Sequence, residues 1–184
     1  MNGKPMGLLL LIALTGLPLA KAQSSNLLRN SSFEEEGPQY WGVTGTALRL
    51  ERGNWHPRTG RWSFGIGNDE GPEDAGGEVS QEVDLPGTAA VGRKCFFSTW
   101  LMTEAKHTGS FVMKLEFLGD GGQKLGEVAR PAGAGDRQEW QLARIYGMVP
   151  TGARRVRVSC ISEHMRPGKG QSFVWLDDAS VIVE

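Results

Sequence analysis

Residues 173–184 read FVWLDDASVIVE, and the rest of the chain is organised around this closing stretch. Phe, Val, Trp and Ile favour a pleated strand. In its middle stand two adjacent carboxylates, Asp177 and Asp178. Neighbouring residues of a strand point to opposite faces, so one of the pair must face the core or its rim. A carboxylate there is costly unless a cation or several donors meet it. At the other end of the mature chain, residues 30–36 read NSSFEEE. Two acidic segments closing a domain admit two readings. Either a hard metal ion sits between the chain ends, or one Asp is solvated while the other caps a turn.

Working outward, residues 1–22 stand apart from the fold. Lys4 gives a positive start, residues 7–20 form a short apolar run, and Ala20-Lys21-Ala22 is an A-x-A cleavage signature. This is the pattern of a secretory signal peptide, too short to span a bilayer comfortably. The expected product begins near Gln23 and is secreted, extracellular or periplasmic, with no membrane insertion. Loss of Lys4 and Lys21 takes the formal charge from −1 to −3. A mildly acidic exported chain is a poor candidate for nucleic-acid binding. Residues 23–184 make one domain, long enough to bury a proper core. Cys95 and Cys160 are its only cysteines, and export permits a disulfide without requiring one. Asn30-Ser31-Ser32 is formally a glycosylation sequon.

The mature chain carries short alternating runs broken by Gly, Pro, Asp and Asn, the pattern of an all-β protein. Strands are expected at residues 26–33, 44–51, 62–67, 78–85, 94–103, 110–118, 123–129, 139–149 and 154–162, and in the closing stretch. Residues 94–103 and 110–118 are the most hydrophobic and are placed centrally. About ten antiparallel strands with Gly-rich turns fit a two-sheet β-sandwich, a jelly roll, better than an immunoglobulin sandwich.

Several blocks carry a family resemblance. They are NLLRNSSFE at 26–34 followed by Trp41, HPRTGRWSF at 56–64, VSQEVDLPG at 79–87, CFFSTWLM at 95–102, Trp140 with Val149-Pro150, and WLDDASV at 175–181. In this order the set resembles the CenC-type carbohydrate-binding modules (families 4 and 9 and relatives), with their galactose-binding-like jelly roll. The resemblance implies a structural calcium ion. Carried over by motif, its ligands are Glu34, one or both of Asp177 and Asp178, and backbone oxygens near residues 58–60. Calcium takes six to eight oxygens, which suits carboxylates with carbonyls.

Sugars are recognised by stacking on aromatic rings and by planar polar side chains. Trp41, Trp140 and Trp175 are expected in core or rim packing. In residues 94–103, Cys95, Phe97, Thr99 and Leu101 share one face, and Phe96, Ser98, Trp100 and Met102 the other. If the first set is core, Trp100 lines an open face. The polar parities of the neighbouring runs then offer Lys114, Glu116 and Arg157 as companions on a polar concave surface, or else as an ordinary ion-paired face. Trp55 and His56, in a loop, are the expected exposed aromatic pair. His56, His107 and His164 lie in three separate loops without zinc-ligand spacing. Neither a nucleophile elbow nor a catalytic Cys-His signature is present. The reading is therefore a secreted, non-catalytic polysaccharide-binding module, expected as a monomer. Its rivals are a protein-interaction or surface-assembly domain of the same fold, and a small jelly-roll hydrolase or lyase.

Overall fold

A computed structural model describes residues 25–36, 40–47, 49–68, 72–104, 109–132, 138–166 and 173–184. The expected signal peptide, and with it the domain boundary at 22, lies outside the described residues. The rest is an all-β sandwich of two five-stranded antiparallel sheets. The strands are β1 (Gly42–Gly45), β2 (Arg49–Gly53), β3 (Ser63–Gly67), β4 (Ala75–Asp84), β5 (Lys94–Thr103), β6 (Ser110–Leu118), β7 (Lys124–Pro131), β8 (Gln141–Met148), β9 (Arg155–Met165) and β10 (Phe173–Val183). Sheet A has the order β1-β4-β9-β6-β7 and sheet B the order β2-β3-β10-β5-β8.

Period-2 patterning decides which face is core. In β5, Cys95, Phe97, Thr99 and Leu101 are buried while Phe96, Ser98 and Trp100 are half-buried. Phe111, Met113, Leu115 and Phe117 of β6 and Val156, Val158 and Cys160 of β9 join Val79, Leu176 and Val181 in one core between the sheets. Each fully buried Leu, Ile, Val or Phe there contributes roughly 1.5–3 kcal/mol relative to exposure.

Three expectations need correction. The run at 44–51 is not one strand: it divides into β1 and β2, which belong to opposite sheets. Strands β5 and β6 lie one place off centre, and the central positions go to β10 and β9. Residues 26–33 form no ladder strand. Their backbone groups are met instead by side chains and single bonds. Gln81 accepts from Arg29 N at 2.8 Å and donates to Arg29 O at 2.9 Å. Asn26 Oδ1 accepts from Val181 N at 2.9 Å, and Leu27 N donates to Val181 O at 2.9 Å. Left-handed backbone at Asn30 (φ 44°) and Phe33 (φ 57°) then turns the chain away from extension.

Candidate functional site

The two outer faces of the sandwich differ in kind. On sheet A, Lys114 and Glu116 of β6 form an ion pair at 3.3 Å. Glu82 of β4 pairs with both Arg155 and Arg157 of β9, the latter at 3.0 Å, and Lys124 of β7 pairs with Glu127 at 2.9 Å. The ladders set Glu82, Arg157, Glu116 and Glu127 side by side across four strands. Beside this row a cavity of about 470 Å³ is lined by Leu27, Arg29, Tyr40, Gln81, Glu82 and Arg155 among others. The face is ionic, and the cations of its central row are met by acids.

Sheet B is aromatic on its outer face. Phe173 and Trp175 of β10 stack with ring centroids 5.1 Å apart and planes 7° from parallel, over Met102 and Trp140. They lie flat because their partners on the neighbouring strand β3 are Gly65 and Gly67: a Cβ at Gly65 would stand 2.6 Å from the Trp175 ring. Trp55, 53% exposed, meets Trp175 edge-on at 5.6 Å. His56 sits 5.7 Å from Trp175, and its Nε2 lies 3.1 Å from Glu104 Oε1. The same carboxylate oxygen accepts from Trp175 Nε1 at 3.2 Å. Glu104, buried at 6% exposure, is a site residue that sequence reading missed. It follows the last residue of β5, and nothing in the local pattern says that an acid there meets an indole and an imidazole.

Further along the same face stand Trp100, Phe96 and Ile182, with Leu142 and Tyr146 on the edge strand β8. The structure therefore does not bring Trp100 together with Lys114, Glu116 and Arg157. Strand parity is right for all four, but β5 belongs to sheet B and β6 and β9 to sheet A, so the core separates them. Trp55 and His56 do come together, and share a face with Trp100.

The acids of the chain ends converge on the loop between β2 and β3. Asp177 Oδ2 accepts from Arg58 N at 2.9 Å and Thr59 N at 3.1 Å, and Oδ1 from Asp178 N at 2.7 Å. Asp178 Oδ2 meets Arg58 Nη1 at 2.5 Å, and Oδ1 accepts from Thr59 Oγ1 at 2.9 Å. Glu34 Oε1 accepts from Arg61 N and Trp62 N, both at 2.9 Å. Gly60, between the two sets, has φ +63° and lies so close to the Glu34 carboxylate that no Cβ fits. Asp177 has no exposed surface, and burial pushes its carboxyl above the ordinary range against the opposing pull of the N–H donors. An all-oxygen set on one loop fits calcium in its chemistry. Among the described residues no three His, Cys, Asp or Glu converge closely enough to hold a metal by themselves. An ion here would need the loop carbonyls as well, and would compete with Arg58 as counter-charge.

No family model and no curated protein matches the chain. Solved structures do. A family 61 carbohydrate-binding module in complex with β-1,4-galactotriose aligns with TM-score 0.62 at 21% identity, over 88% of this chain and 100% of that one. The CBM22-1 xylan-binding domain of a Paenibacillus barcinonensis protein gives TM-score 0.57 at 15% identity, over 87% and 95%. The enzymatically active domain of bacteriophage CBA120 tailspike protein 4 gives TM-score 0.69 at 16% identity, but this chain spans only 21% of its length. At such identities the likeness concerns the fold alone, a two-sheet β-sandwich that these neighbours share.

Proposed function

We propose that the protein is an exported, non-catalytic glycan-binding module of the CenC type, and that sheet B carries its binding face. The observation behind this is Trp55, about half exposed yet held edge-on against Trp175. A rigid indole at a surface is a platform for the CH face of a sugar ring. Beside it His56, held from behind by the buried Glu104, offers a polar edge of the kind that hydroxyls require. The structural neighbours solved with galactotriose or described as xylan-binding are consistent with this reading. A calcium ion held by Glu34, Asp177 or Asp178 and the carbonyls of residues 58–60 belongs to the same proposal. Its support is the convergence of these acids on one loop.

A second reading, a protein-interaction domain, has its own observation. Leu142, Tyr146 and Met148 stand more than half exposed on β8. Affinity electrophoresis against a panel of polysaccharides separates the two. For wild type, retardation by at least one polysaccharide is expected. Trp55→Ala should weaken it about tenfold, the equivalent of about 1.4 kcal/mol, while Lys114→Ala on sheet A leaves it unchanged. Retardation abolished by Lys114→Ala and indifferent to Trp55→Ala would move the site to sheet A. No retardation by any polysaccharide would favour the protein partner.

A further inference from the structure

We infer that the stretch of sheet B running from Trp100 to Lys94 selects an anionic polysaccharide, one bearing uronate carboxylates or sulfates. This rests on the glycan-binding reading above and goes beyond it by naming the charge of the ligand.

Three cations stand over three rings in succession on this face. Arg58 lies 3.7 Å from the Trp100 ring centroid, Arg144 lies 4.1 Å from that of Phe96, and Lys94 Nζ lies 5.3 Å from that of Tyr146. The ladders fix the sequence of rows: Trp100 beside Leu142, Ser98 beside Arg144, Phe96 beside Tyr146, Lys94 beside Met148. Phe96 and Trp100, four residues apart on one strand, are about 13 Å from each other. That spacing suits separate residues of one polysaccharide chain. Between them Ser98 Oγ and Ser180 Oγ, 2.8 Å apart, add hydroxyls to the floor.

The charge state of these cations decides the ligand. On sheet A every arginine and lysine of the central row is met by a carboxylate. On sheet B, Arg58 is paired with Asp178. Among the described residues neither Arg144 nor Lys94 has a carboxylate partner within 4.0 Å, although the backbone of Lys94 pairs directly with that of Glu184, at 3.0 and 2.8 Å. A guanidinium lying over a ring keeps its N–H donors around its edge. Those donors are free to grip a carboxylate or sulfate from solution in a bidentate manner. Rings for sugar faces, beside two cations, Arg144 and Lys94, that have no internal ion pair, form a surface that fits an acidic glycan better than a neutral one.

Affinity electrophoresis of the full mature chain in gels containing polygalacturonate, chondroitin sulfate or a neutral β-1,4-galactan tests this. Retardation by polygalacturonate, by chondroitin sulfate or by both is expected, weakening as salt rises; which of the two retards identifies carboxylate or sulfate. Arg144→Ala and Lys94→Ala, both at exposed positions, should each weaken that retardation about tenfold. Lys114→Ala controls for charge on the other face and should change little. Retardation by galactan alone overturns the inference and leaves the glycan-binding reading standing. Anionic retardation that survives Arg144→Ala with Lys94→Ala together also overturns it. Absence of retardation in all three gels, extended to the wider panel, removes both.

Discussion

The outer faces of the two sheets are built over one core and solve the same problem differently. Sheet A meets solvent with ion pairs: Lys114 with Glu116, and Glu82 with two arginines. Such a face satisfies itself, and exposed pairs of this kind contribute only about 0–1 kcal/mol each. Sheet B meets solvent with rings, and two of its cations, Lys94 and Arg144, rest on rings rather than on acids. The difference is one of unfinished bonding. A self-paired face has little to offer a ligand, whereas exposed rings and unpaired guanidinium edges have donors and surface still to place. Net charge and composition hide this, because they sum over both faces.

The contrast is sharpest in packing, and there the largest effect is expected. Phe173 and Trp175 lie flat only because Gly67 and Gly65 lack a Cβ. Gly65→Ala should push the Trp175 ring off the sheet, an overpacking that costs about 1–3 kcal/mol. For a domain of this size each kilocalorie lowers the melting temperature by roughly 2–4 °C. Glu116→Gln, which breaks an ion pair on sheet A, should move it less, and less still in high salt. Thermal melts of the two variants compare the faces directly. Equal shifts, or an unchanged Gly65→Ala melt, would mean that the aromatic face is not a packed unit.

Much of this arrangement was legible beforehand, and the limits are physical. Strand parity is local, so the inward sets of β5, β6 and β9 follow from alternation alone. β5 and β6 coincide with the expected runs at 94–103 and 110–118. Which sheet a strand joins is a long-range matter that alternation does not encode. For that reason alternation leaves open whether Lys114 joins Trp100 or stands on an ion-paired face of its own, and the structure, with the core between them, gives the second. The opening segment failed for another reason: a side-chain amide such as Gln81 can satisfy a backbone as a neighbouring strand would, and its sequence still looks β. Of the site, Trp55 and His56 were visible as loop aromatics, but Glu104 was not. Its role comes from contacts 71 residues away.

An effect of comparable size is expected at the loop between β2 and β3, where sheet B meets Glu34, Asp177 and Asp178. If calcium binds the folded state there, it adds about 2.7 kcal/mol at a hundredfold excess over its dissociation constant. A chelator should then lower the melting temperature by several degrees, and Glu34→Gln should melt low and ignore added calcium. A melt unchanged by chelator, in protein shown to be metal-free beforehand, would assign the whole counter-charge to Arg58 and the loop N–H groups. The aromatic face would then be held at that end by protein alone.

The smallest effect concerns what joins the two sheets. Cys95 lies on β5 of sheet B and Cys160 on β9 of sheet A, and both point into the shared core. Sequence left open whether they pair; in the structure both are free thiols. No covalent bond between them therefore ties the ionic face to the aromatic one, and packing alone holds the sheets together. Burial pushes the Cys95 thiol up to about 12 and raises Cys160 as well, with Glu78 adding to the second shift. Since the thiolate is the reactive form, neither cysteine should react with a thiol reagent at neutral pH until the sandwich opens. A reductant should leave the melting temperature where it was, because there is no bridge to break. Titration of protein denatured without reductant should count two thiols. A count of zero, with a melting temperature that falls on reduction, would replace the packed interface by a covalent one. The two faces would then owe their fixed relation to a bond that only an oxidising compartment supplies.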